Sequence, residues 1–214
     1  MIMPRKAQYT REQIILAAYE LAREGGMEAV VARAVANKLG CTTMPIFSFF
    51  AGMDELRDAV YEMAKSKCVA YLLESRTYTP AFKEFGLRWV NYAVKEPRLF
   101  PMLFSADPET LLIDFRELFV PILESIRESF GLNEEQCREL LLENIFHANG
   151  IAAFLMNRPG KFSRTEIGRR LSSVCIGLVA AMRLKDGTFR EDEFREMLNA
   201  NSCLPMKKYG GNHE

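Results

Sequence analysis

Histidine is almost absent from this chain: there are two, and only His147 lies outside the last few residues. A lone histidine with no partner motif makes a metal centre or a hydrolytic triad unexpected. The five cysteines (Cys41, Cys68, Cys137, Cys175, Cys203) are odd in number, scattered and without close pairs. That excludes a disulfide framework and a zinc motif, and suits a reducing cytoplasm. No apolar run approaches the ~18–20 residues of a membrane span. The opening MIMPRKAQYTREQ has no apolar core, so a secretory signal is not expected. No glycine-rich phosphate loop and no internal repeat is visible. Net charge is also missing, with 28 basic and 28 acidic residues. The strongly basic footprint of many nucleic-acid binders is therefore not there to read. Residues 1–50 carry six Lys/Arg (5, 6, 11, 23, 33, 38) against four Glu (12, 20, 24, 28), an excess of two.

What remains is helix. Across 214 residues, 49% of them apolar, the hydrophobic positions recur at three-to-four spacing and the punctuation is that of helix ends. Thr10 with Gln13, Asn133 with Gln136 and Ser163 with Glu166 are capping-box pairs. Thr79-Pro80 and Asp107-Pro108 are caps followed by proline at the first helical position. The helix after Asp107 is expected to run to about Phe130 with a kink at Pro121, and a weaker one to span Glu191 to Leu198. The fold class is all-α.

The most informative stretch is Ala29 to Leu56. Ala32, Val35, Ala36 and Leu39 mark a short helix that Gly40 ends in the left-handed conformation. Thr42 is expected to cap the next one, Pro45 falls in its first turn, and Ile46, Phe47, Phe49 and Phe50 give it an apolar side. Two short helices joined by a few residues including glycine are the helix-turn-helix pattern, and equally that of an ordinary corner in a helical bundle. Read as a DNA-binding unit, it presents Thr42, Thr43, Met44 and Ser48 outward, with Arg33 and Lys38 as phosphate contacts and Phe47 and Phe49 as further candidate DNA contacts.

Thr10 to Val60 resembles the N-terminal domain of the tetracycline-repressor (TetR/AcrR-like) family of transcription regulators. The resemblance rests on Ile14 and Ala17-Ala18, Gly25-Gly26, Arg33-Ala34-Val35-Ala36 with Leu39-Gly40, then Phe50 and Asp54-Glu55-Leu56. It implies a three-helix DNA-binding domain over residues 1–52, a helical ligand-binding and dimerisation domain over 53–204, and a disordered tail over 205–214. The implied protein is a cytoplasmic bacterial homodimer, a repressor that binds double-stranded operator DNA and releases it on binding a small apolar or amphipathic effector, without a cofactor or a membrane. Family members commonly have threonine at Val31, tyrosine at Phe47, histidine or tyrosine at Phe49 and lysine at Met53. Those departures remove phosphate anchors, so weakened or lost DNA binding with retention of the fold stands as the alternative.

In the remaining three quarters of the chain the aromatic positions Trp89, Phe100, Met102, Phe104, Phe115, Phe119, Phe146 and His147 are the candidate effector pocket, and plain core packing accounts for the same stripes. The last two long helices are rich in small residues such as Gly150, with larger apolar ones between them; Gly150, Ile151, Phe154, Leu171, Val174 and Leu178 are the candidate dimer interface, and intrachain packing explains the pattern nearly as well.

Overall fold

The computed structural model describes residues 9–74 and 81–202. Arg5 and Lys6 of the N-terminal arm, the Thr79-Pro80 cap, Cys203 and the 205–214 tail lie outside the described residues. Every regular element among the described residues is helical. The chain divides into two compact units, one formed by Met1–Glu74 with Lys95–Arg116, the other by Ser75–Val94 with Glu117–Glu214. The boundary expected at residue 52 lies inside the first of these.

The first unit opens with α1 (Arg11–Gly25), started by the expected capping box: Thr10 accepts from the Gln13 amide at 3.2 Å, and the Gln13 side chain accepts from the Thr10 amide at 2.9 Å. Ile14, Ala17, Ala18 and Ala22 form its buried face. Gly26, at φ 82°, ends it by donating to the Ala22 carbonyl at 2.8 Å. After a single 3-10 turn (Met27–Ala29) comes α2 (Ala32–Leu39), then α3 (Met44–Phe49) and the long α4 (Met53–Leu73). α4 contributes Leu56, Val60, Ala64, Cys68 and Leu72 to the core. α6 (Leu99–Phe104) and α7 (Pro108–Asp114) complete the unit. Here Phe104 sits between Phe100 and Phe115, with ring centroids 5.1 and 4.9 Å away.

The second unit holds α5 (Ala81–Lys95, all but its last residue), α8 (Arg116–Phe130, all but its first), α9 (Glu134–Met156), α10 (Arg164–Lys185) and α11 (Glu191–Ser202). Its centre is Trp89, which packs on Phe85 and Phe119 at 5.6 and 6.3 Å and donates its indole N–H to Asn149 at 2.8 Å. The buried carboxylate of Glu84 on α5 accepts two bonds from Arg164 on α10, at 2.8 and 2.7 Å, and lies 3.3 Å from Arg88. Where α9 turns into α10, Phe154 and Phe162 stack at 5.3 Å and 16°. Arg158 covers the first ring at 5.0 Å and Arg170 the second at 4.4 Å.

Two local expectations are corrected. The helix expected from Asp107 to Phe130 is broken at Phe115 into α7 and α8, while Pro121 lies inside α8. The Phe115 ring is buried against Phe104 in the first unit, and the chain enters the second one residue after Arg116. A tertiary anchor, rather than the proline, sets the break. Thr42 does not cap α3; the cap position is Thr43, in helical conformation and without a side-chain hydrogen bond.

Candidate nucleic-acid interface

The α2–α3 turn is built from the backbone outward. Gly40 has φ 70°, its amide donates to Asn37 at 3.1 Å, and the Cys41 amide donates to Ala36 at 3.0 Å. These two bonds satisfy carbonyls that the end of α2 leaves open. A Cβ on Gly40 would meet nothing within 4 Å, so only the left-handed backbone requires glycine there. Gly40→Ala is accordingly expected to cost about 1–2 kcal/mol, read as a lower midpoint of thermal unfolding followed by circular dichroism. A change below 0.5 kcal/mol on the usual scale of surface substitutions would contradict that account.

α3 is held by Ile46 and Phe50, both buried with Val30, Val35 and Leu56 in the core of the first unit. The start of α4 secures the other end: Glu55 accepts from the Ala51 amide at 2.7 Å, and its second oxygen lies 3.5 Å from Arg11, whose guanidinium sits 4.7 Å over the Phe50 ring. This supplies the physical content of the Asp54-Glu55-Leu56 sequence: one carboxylate joins the end of α3 to the start of α1, while Leu56 fills the space beneath.

With its inner side fixed, α3 displays an apolar outer side. Met44 is 79% exposed and Phe47 50% exposed. Phe49 and Thr43 are half-buried, and Thr42 and Ser48 are exposed. The Ser48 hydroxyl donates to the Pro45 carbonyl at 2.7 Å, so its proton is already used within the helix. Tyr9, to which the sequence reading gave no role, donates its hydroxyl to the Leu39 carbonyl at 2.9 Å and ties the N-terminal arm to the end of α2. Its only local signal is an aromatic residue just before the Thr10 cap.

The two cations assigned to phosphate differ. Lys38 lies 3.0 Å from Glu24 and 3.3 Å from Glu20, both on α1, and the Glu24 hydrogen bond raises its pKa. Arg33 is exposed, and no carboxylate lies within ion-pairing distance of it among the described residues. Arg23 pairs with Glu96 at 2.7 Å.

Elsewhere, the candidate pocket residues fall into separate groups. Phe100, Phe104 and Phe115 form the ring cluster of the first unit, where Met102 is half-buried. Trp89 and Phe119 join Phe85 in the second. Phe146 is 54% exposed on α9. His147 is half-buried, and its Nε2 is shut off from solvent with no hydrogen-bond partner among the described residues. Of the candidate interface residues, Ile151 and Leu171 are buried within their own unit, Phe154, Val174 and Leu178 are half-buried, and Gly150 is exposed. Exposed small residues follow on the same two helices: Ala153 on α9, and Ser173, Gly177 and Ala181 on α10.

For other chemistries there is little material. Among the described residues no group of three or more His, Cys, Asp or Glu side chains is gathered to hold a metal ion. Burial pushes the Cys175 thiol up to about 12, which keeps it protonated and a poor nucleophile. No helix among the described residues is long and apolar enough to cross a membrane.

No protein-family model matches the chain, and no curated protein matches it in sequence. Solved structures similar in fold include two transcriptional regulators. One is a transcriptional regulator from Rhodococcus sp. Rha1, 18% identical with a TM-score of 0.56, the match covering 81% of this chain and 97% of that one. The other is a tetR-family transcriptional regulator from Streptomyces coelicolor, 15% identical with a TM-score of 0.63, covering 90% and 87%. At these identities what is shared is the fold, an all-α, multi-helix architecture.

Proposed function

We propose that the chain is a homodimeric, effector-responsive transcription regulator, acting as a repressor, whose helix-turn-helix over α2 and α3 binds operator DNA. The observation that carries this reading is α3 itself: a short helix pinned by Ile46 and Phe50, with Met44 and Phe47 left to solvent. A helix held in that way can enter a major groove. The fold shared with two transcription regulators supports the same reading. Gly150 and Ala153 on α9, with Ser173, Gly177 and Ala181 on α10, are the surface proposed to meet a second copy, and Phe146 at the same helical spacing is assigned there rather than to a pocket. Two heads in a dimer read half-sites roughly 34–36 Å apart.

The effector is proposed to be mostly apolar with one hydrogen-bonding group. The buried Nε2 of His147 motivates this, since an unmet polar atom costs about 1–3 kcal/mol and a ligand that meets it recovers that cost. Effector binding then favours a conformation in which the two heads no longer match their half-sites.

The pairing of cations in the head favours a second reading, a regulator fold that has lost DNA binding. Fluorescence anisotropy with duplexes from the native upstream region, across a salt series, separates the two. The expected result is specific binding with a shallow salt slope. Arg33→Ala is expected to weaken binding to all duplexes and reduce the slope by about one per protomer. Lys38→Ala leaves the slope nearly unchanged, because Glu20 and Glu24 already neutralise it. The loss of DNA binding is the correct reading if no duplex binds at the lowest salt.

A further inference from the structure

We infer that the apolar end of α3, formed by Met44 and Phe47, reads the 5-methyl groups of thymine in the major groove, so that sequence is selected there by methyl contact rather than by hydrogen bonds to base edges. This rests on the DNA-binding reading above.

The donor inventory comes first. α3 is Met-Pro-Ile-Phe-Ser-Phe, and it contains none of the Arg, Lys, Asn or Gln side chains that make paired contacts to guanine or adenine. Its one hydroxyl, on Ser48, gives its proton to the Pro45 carbonyl. Its exposed apolar side chains are Met44, at 79%, and Phe47, at 50%. Residues three apart share a helix face, with Cβ atoms about 5–6 Å apart. Two neighbouring base steps are therefore within their span. Thymine is the only base that offers a methyl group in the major groove. The unbranched thioether of Met44 can adapt to the methyl's position.

Charge selects duplex DNA as the occupant of this apolar face over another apolar surface. Residues 1–11 and 29–53 contain Arg5, Lys6, Arg11, Arg33 and Lys38, and no Asp or Glu. The apolar tip thus lies in a segment without carboxylates. The Tyr9 hydroxyl is bonded to the Leu39 carbonyl at the end of α2, beside α3 in the sequence. Lys38 and Arg11 face Glu20, Glu24 and Glu55, so Arg33, exposed and with no carboxylate at ion-pairing distance among the described residues, is the cation left for a phosphate flanking a groove that holds α3.

The test uses the full-length protein. A duplex is first selected from a random library, and its dissociation constant is then measured by anisotropy at low salt with thymine replaced by uracil, one position at a time. Uracil keeps every hydrogen-bonding group and removes only the methyl. Expected is a loss of about fourfold per methyl contacted, at one or two positions in each half-site. Met44→Ala with Phe47→Ala should bind the thymine and uracil duplexes equally, with an unchanged thermal unfolding midpoint because both side chains are exposed. Affinity that ignores uracil at every position overturns methyl reading while leaving DNA binding intact. Failure to select any duplex overturns DNA binding, and methyl reading with it. Self-association without DNA that the double variant abolishes assigns the face to a second copy instead.

Discussion

Trp89→Ala should destabilise the second unit by about 3–5 kcal/mol. The indole is 1% exposed, so its whole volume becomes a cavity. It also touches Phe85 and Phe119 and donates to Asn149, so truncation removes ring contacts and leaves the Asn149 oxygen without its donor. Part of the loss is separable. Trp89→Phe keeps most of the packing and removes the hydrogen bond, for which about 1–2 kcal/mol is expected. Urea unfolding followed by circular dichroism measures both variants, since the only tryptophan is gone from each. A cost under 1 kcal/mol for the alanine variant would show that the cluster is loosely packed. In the unaltered protein the same residue is a built-in probe: its emission should be that of a buried indole and move to the red on unfolding.

The second large effect concerns Glu84. Its carboxylate is 5% exposed and faces two guanidinium groups, those of Arg164 and Arg88. Glu84→Ala withdraws the negative charge and leaves the largely buried Arg88 without that carboxylate, for which about 3–5 kcal/mol is expected. Arg164→Ala should cost much less. The Arg164 side chain is 44% exposed, so water screens its share, and Arg88 still neutralises Glu84. The ordering of the two variants is the discriminating result, and thermal unfolding reads it directly. Equal losses would mean that the pair acts through packing across α5 and α10 rather than through charge.

These two sites mark the limit of what the order of residues discloses. Helix ends were legible because their causes are local: Thr10 with Gln13, Asn133 with Gln136 and Ser163 with Glu166 all form the reciprocal bonds that their spacing predicts. Gly26 and Gly40 likewise end α1 and α2 with positive φ. The inward positions of the long helices were legible too, since period alone turns Leu56, Val60 and Leu72, or Phe85 and Trp89, to one side. Partners across helices were not. Nothing near Lys38 in sequence announces that Glu20 and Glu24 will occupy its ammonium, because that depends on α1 crossing α2. Nor does periodicity say which aromatic side chains share a cluster: Phe115 and Phe119, four residues apart, belong to different units. The outward display of Met44 and Phe47 was legible only through the helix-turn-helix reading, since hydrophobicity alone argues for burial unless neighbouring residues already fill the core.

The stacked rings at the junction of α9 and α10 have a practical consequence. Phe154 and Phe162 hold that junction face to face, and mobile ions do not weaken contact between two uncharged rings. Concentrated electrolyte, which dissociates proteins from nucleic acid, should leave this clasp closed. Affinity lost on adding salt can then be attributed to phosphate contacts, with the α9–α10 junction intact throughout the titration.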